Sequence, residues 1–131
     1  MSTLVSTLEK QTFLDMFAAI DDQWNAGDRS AYLANYGADS VYMPPNQSTI
    51  TGYEGIEKFV TEFPEVKLEH GLVDLWGHDN DATVHGTFKI RDMNDNLMDQ
   101  GKFLAHYEKD HAGQWISTHA IWNSDLPVEE S

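Results

Sequence analysis

Hydrophobic positions along this chain change period once. In the first half they recur at helical spacing. Phe13, Phe17, Ile20 and Trp24 follow Ser6-x-x-Glu9, a pattern whose hydroxyl and carboxylate satisfy the free N–H groups of a first helical turn. Gly27 is placed to end that helix and Asp28 to cap a short second one carrying Tyr32, Leu33 and Tyr36, which Gly37 terminates. A short strand, "DSVYM", runs into Pro44-Pro45, which no strand interior tolerates. Thr51-x-x-Glu54 repeats the capping pattern ahead of a third helix with Ile56, Phe59, Val60 and Phe63, stopped at Pro64.

From Val66 onward the period is two. It predicts strands at 66–76, 82–91, 98–109 and 115–124, joined by "GHDND", "DMNDN" and "DHAG", which are turn-rich and short enough for antiparallel hairpins. Helices first and a meander of long strands afterwards predict an α+β fold: one domain over residues 1–131, with the helices packed on one sheet face.

Composition acts mainly by exclusion. A chain of 131 residues buries a single core without staples. Eight basic against 22 acidic residues give a net charge of −14, which repels phosphate backbones and anionic lipid, so neither nucleic acid nor membrane is an expected partner. Without cysteine there is neither a disulfide framework nor thiolate chemistry. "MSTLVSTLEKQ" lacks the basic and apolar regions of a secretory leader, and no run approaches a membrane span; a cytoplasmic location is expected.

Six segments in order carry a family resemblance: "WNAGD", "YGADSVYMPP", "ITGYEGIEKF", "DATVHGTF", "GKFLAHYEKDHAGQW" and "IWNSDLP". Together they resemble the nuclear-transport-factor-2-like superfamily, in particular its ketosteroid-isomerase-like and SnoaL-like small proteins. The resemblance implies a cone-shaped barrel in which a curved antiparallel sheet wraps the first of three helices and opens into a pocket. Laid on that pattern, Thr118, Ala120 and Trp122 point into the cone, and Trp115, Ser117, His119 and Ile121 point outward. Period two alone does not choose between these faces.

A last hairpin turning at Ala112-Gly113 sets Ala105 opposite Ala120 and His106 opposite His119, with His85 beside Ala105. Two alanines at mid-sheet leave a hole that larger side chains would fill. His85 is then the candidate general acid–base, and Tyr42 the group that orients a ligand oxygen. The bland alternatives are a core histidine satisfied by Thr87 or Tyr42, and a tyrosine that only packs. Ile20, Trp24, Pro44, Phe59, Ala105, Tyr107, Ala120 and Trp122 are the expected pocket wall, an apolar lining suited to an apolar small molecule.

The departures are as informative. Steroid isomerases of this superfamily need Asp, Tyr and Asp where this chain has Pro44, Ile20 and Ala105, so steroid isomerisation is not expected. The Asp-Arg-Asp set of the epoxide hydrolases is hard to build from Arg29 and Arg91 alone. His106 and His119 would supply half of a zinc site at most, so no metal is expected, and no cofactor. "GHDNDA" lacks the length and terminal glutamate of a calcium loop. The expected function is a small-molecule pocket protein catalysing proton transfer or addition–elimination on an apolar carbonyl or hydroxyl compound. The alternative is a non-catalytic binding or association module. Val84, Phe88, Leu104, Trp115 and Ile121 are expected to form an outer apolar patch that a homodimer covers.

Overall fold

The computed structural model describes residues 7–127; Ser6, and with it the first capping pattern, lies outside the described residues. Three helices, α1 (Thr7–Asn25), α2 (Ser30–Leu33) and α3 (Tyr53–Glu62), accompany six strands. These are β1 (Tyr36–Met43), β2 (Ile50–Thr51), β3 (Lys67–His78), β4 (Asp81–Arg91), β5 (Leu97–Lys109) and β6 (Trp115–Ser124). One sheet holds them in the order β2-β1-β6-β5-β4-β3, with β1 parallel to β6 and every other neighbour antiparallel. Among the described residues no helix is long and apolar enough to cross a membrane.

The four long strands fall where period two places them. The second helix does not extend to Tyr36. Arg29, not Asp28, takes the N-cap position, with no side-chain bond. Asp28, one residue earlier, accepts the Ser30 N–H (2.9 Å) and hydroxyl (2.6 Å), and the Asn35 carbonyl is taken by the Ser117 N–H at 2.6 Å. That pairing draws Tyr36 and Gly37 into β1, tertiary hydrogen bonding overriding local propensity. The Thr51–Glu54 capping box does not form either. Thr51 pairs with Val41 in β2, a strand the sequence pattern missed, and Gly52 (φ 95°) takes the N-cap position with no side-chain bond. At the far end of α3, Arg29 donates to the carbonyls of Val60 (2.6 Å), Phe63 (2.7 Å) and Pro64 (3.0 Å) while lying over the Trp24 ring. A cation thus satisfies carbonyls that the helix leaves open.

Which residues face the cone is decided by register. In β4 the buried positions are Ala82, Val84, Gly86, Phe88 and Ile90. Val84 pairs with Ala105 and His85 with Leu104, one residue away from the expected alignment. A slip of one residue moves every side chain to the other face, so His85 stands on the convex side, outside the cone. The next ladder matches expectation, with Ala105 opposite Ala120 and His106 opposite His119. Beyond it the register shifts and Tyr107 meets Ser117. Thr118 is the extra residue of this bulge; its hydroxyl meets the His106 carbonyl and the His119 ring, not the pocket. Trp115 and Ser117 consequently turn inward, while Ala120 and Trp122 face the cone as expected. The proposed outer patch loses Val84, Phe88 and Trp115 to the core and keeps Leu104 and Ile121, opposed across β5 and β6 and each 45% exposed.

Glycines allow the concave floor to be aromatic. Gly86 pairs with Phe103, and Gly101 with Phe88. A Cβ on Gly86 would lie 2.3 Å from the Phe103 ring and 2.5 Å from the Gly71 carbonyl oxygen. Each ring lies over bare backbone. Gly86→Ala is therefore expected to destabilise the protein by about 1–3 kcal/mol through overpacking, read as a lower urea midpoint at unchanged m-value. His85→Ala, on the convex face, is expected to shift the same midpoint by no more than ~0.5 kcal/mol.

Candidate functional site

The site begins at an unpaired strand edge. β3 bonds only β4, so half of its backbone groups lack a strand partner, and α1 lies beside them. Two helix side chains take the place of a neighbouring strand along β3, and a third serves Val66 just before it. Trp24 Nε1 donates to the Val66 carbonyl at 3.0 Å. Asn25 donates to the Leu68 carbonyl (3.0 Å) and accepts its N–H (2.8 Å). One turn earlier, Asp21 Oδ2 accepts the His70 N–H at 2.7 Å. Helix positions 21 and 25 share a face, as do strand positions 68 and 70, so the two periodicities meet in register.

The second oxygen of Asp21 reaches the imidazole itself, Oδ1 lying 2.6 Å from His70 Nδ1. As a carboxylate it accepts Nδ1–H and leaves the lone pair of the neutral ring on Nε2. That ring is held among Phe17, Phe103 and Tyr32, at centroid distances of 5.9, 5.8 and 6.4 Å. Carboxylate, imidazole and apolar packing together make an oriented acid–base group.

His70 forms part of the wall of a partly open cavity of ≈ 80 Å³ within the cone. The same wall carries a string of hydrogen bonds that includes Tyr32, whose ring packs beside His70. Trp122 Nε1 donates to the Tyr42 hydroxyl at 3.0 Å, and Tyr42 and Tyr32 share a hydrogen bond of 2.6 Å. Within this string one phenol hydrogen remains to be donated, either to Tyr36, whose ring packs beside both, or to a ligand oxygen. Burial pushes the Tyr36 and Tyr42 hydroxyls well above the usual phenol range, and those of Tyr32 and Tyr107 upward. The pocket therefore presents neutral donors. Its wall and the adjoining cleft contain no lysine or arginine.

Of the residues expected in the wall, Ile20, Phe59, Ala105, Tyr107, Ala120 and Trp122 line the cavity together with Tyr42. Pro44 lies in the adjoining cleft, which shares Phe59, Phe63, Ile90 and Trp122 with the cavity and forms its mouth. Trp24 is one layer further back, against Tyr32 and Phe63. His85 is absent from the wall. Reading the sequence missed Asp21, His70 and Tyr32. The available signal was a polar pair, Asp21 and Asn25, one helical turn apart beside an apolar stripe. Among the described residues no cluster of His, Asp and Glu is arranged to hold a metal ion.

A family model described as a SnoaL-like domain matches residues 16–123. Among solved structures, a cystatin-like-fold protein of unknown function from Nostoc punctiforme superposes with a TM-score of 0.77 at 16% identity, covering 94% of this chain and 96% of that one. A ketosteroid isomerase-like protein from Erwinia carotovora gives 0.68 at 16%, covering 87% and 97%. A nuclear transport factor 2-like protein from Salmonella enterica gives 0.71 at 13%, covering 95% and 96%. At these identities the likeness is one of fold. No curated protein matches the chain significantly.

The tyrosines make a prediction about alkaline stability. A phenol whose folded pKa is raised keeps its proton where the unfolded chain has lost it. Stability is then intact below about pH 10, the unfolded value, and declines as pH rises above it. Tyr42 and Tyr107, both deeply buried, should each contribute a slope of up to ~1.4 kcal/mol per pH unit. Tyr32 and Tyr36, which keep some contact with solvent, should contribute less. Urea midpoints between pH 8 and 12 should be flat and then fall, with phenolate absorbance from the buried rings appearing only as the protein unfolds.

Proposed function

The chain belongs to the SnoaL-like domain family, and we propose that it binds an uncharged, largely apolar carbonyl or hydroxyl compound and moves a proton on it, with His70 as acid–base. The observation that carries this reading is that an Asp21-oriented imidazole and the hydrogen-bonded hydroxyls of Tyr32 and Tyr42 belong to one apolar cavity. Such an arrangement suits abstraction of a proton next to a carbonyl. Nε2 takes the proton, and the hydrogen-bonded phenol string stabilises charge that develops on the oxygen. Returning the proton to another carbon is an isomerisation; returning it to a departing hydroxyl is an elimination. Asp21 is the positioning residue, and Tyr42 keeps the ligand-orienting role expected of it. Because no cation lines the wall or mouth, an anionic ligand would lack a countercharge, which favours an uncharged one. Ile20 and Ala105 line the wall where steroid isomerases carry their oxyanion donors, which argues against that reaction.

The test needs no known substrate. A panel of uncharged cyclic ketones and β-hydroxyketones is incubated with the protein in D2O, and loss of the α-proton signal is followed by NMR. Protein-dependent exchange of at least one compound is expected, reduced ~10²–10⁴-fold in His70→Asn and unchanged in His85→Ala. Exchange that survives His70→Asn, or none across the panel, rejects the reading.

A second reading, an association module, is favoured by the exposed Leu104–Ile121 pair on the convex face. It predicts a homodimer at micromolar concentration that Leu104→Asp dissociates, as measured by sedimentation velocity.

A further inference from the structure

The Asp21–His70 pair lies between two spaces of different character. On one side is the apolar cavity, which His70 lines and Asp21 does not. On the other, between α1 and β3, runs a surface groove that both residues border. Phe17 and Leu68 line both spaces and flank the histidine between them. The groove is mixed, with a larger polar share than the cavity and charged side chains along it. Asp22 and Asn25 contribute from the helix, and Lys67–Asp95 (2.9 Å) and Arg91–Glu69 (2.8 Å) pair along the sheet side. The Asp21 and His70 side chains retain 14% and 16% exposure. The pair is therefore a partition with one wet face and one apolar face.

We infer that this partition is a proton port: Nε2 works in the cavity, while Nδ1 and Asp21 exchange protons with bulk water through the groove. The inference rests on the acid–base role proposed for His70. The balance is simple. A proton taken from a ligand at Nε2 produces an imidazolium, which loses its Nδ1 proton to Asp21 and then to groove water; the ring returns to its starting tautomer when Nε2 gives its proton to the ligand and Nδ1 regains one from the groove. The reverse sequence delivers a proton to a ligand. No electrons move, and water is the only co-reactant. Entry of the ligand and passage of the proton then use different openings, so a ligand that fills the mouth beside Trp122 does not isolate the imidazole from solvent.

The experiment follows the proton itself. In protein carrying 15N-labelled histidine, the Nδ1 proton of His70 is assigned as the low-field signal lost in His70→Asn. Its exchange with water is measured by saturation transfer. Ala18→Trp places a ring in the groove from an exposed helix position. Ala105→Met and, separately, Ala120→Met fill the cavity, and whichever remains folded serves. Ala18→Trp should slow exchange roughly tenfold, or reveal a signal broadened away in the parent, whereas the cavity-filled variants should stay within about twofold of it. Equal exchange in all forms, or slowing confined to the cavity-filled variants, overturns the port. The two readings separate cleanly. Ketone exchange that depends on His70, together with a proton indifferent to Ala18→Trp, would discard the route and keep the chemistry.

Discussion

An unpaired strand edge is the constraint around which this protein is arranged. The backbone of β3 cannot be left open next to a helix, because buried amide groups without partners each cost on the order of 1–3 kcal/mol. α1 supplies those partners from Asp21, Trp24 and Asn25. The same contact fixes the distance between helix and sheet and so sets the width of the cavity. It also leaves one carboxylate oxygen to hold an imidazole. Closing the sheet edge and orienting the imidazole are one interaction, so the ring is held as firmly as the edge.

Much of the architecture could be read from the chain, and the reasons are local. Phe13, Phe17, Ile20 and Trp24 form a helical stripe, and all four are buried. The long strands announce themselves by alternation and by turn-rich connections. The Ala105–Ala120 pairing matched expectation because the Thr118 bulge offsets by one residue the register set at the turn, where Lys109 meets Trp115. What could not be read was anything decided by partners distant in sequence. The face of β4 depends on its register against β5, and one residue of slip exchanged His85 for Val84. The bulge at Thr118 has no signature in a chain of alternating small and large residues, yet it turns Trp115 into the core. Tyr36 looked helical because nothing nearby reveals that Ser117 waits for the carbonyl of Asn35.

The site was legible in its walls and not in its chemistry. Apolar wall residues could be placed from the expected cone, and most line the cavity. His70 sits on a strand with polar and apolar neighbours in no clean alternation, and its partner Asp21 is 49 residues away. A helical aspartate beside an apolar stripe reads as a solvated acid until the strand edge it serves is known. Family membership narrows the fold far more than the ligand, since one framework carries many chemistries on exchangeable side chains.

The two rings that lie over glycine give the cavity floor an unusual property. Most pocket floors are layered, so trimming one side chain uncovers another. Beneath Phe103 and Phe88 there is only the main chain of Gly86 and Gly101. Shortening Phe88 would deepen the cavity towards bare backbone, whereas Phe103 also packs against Phe17 and His70. At Phe88, cavity depth is thus an adjustable dimension, separate from the Asp21–His70 pair on the helix side. In evolutionary terms, a chain with this framework could change the size of guest it accepts by a single substitution while the Asp21–His70 pair stays in place.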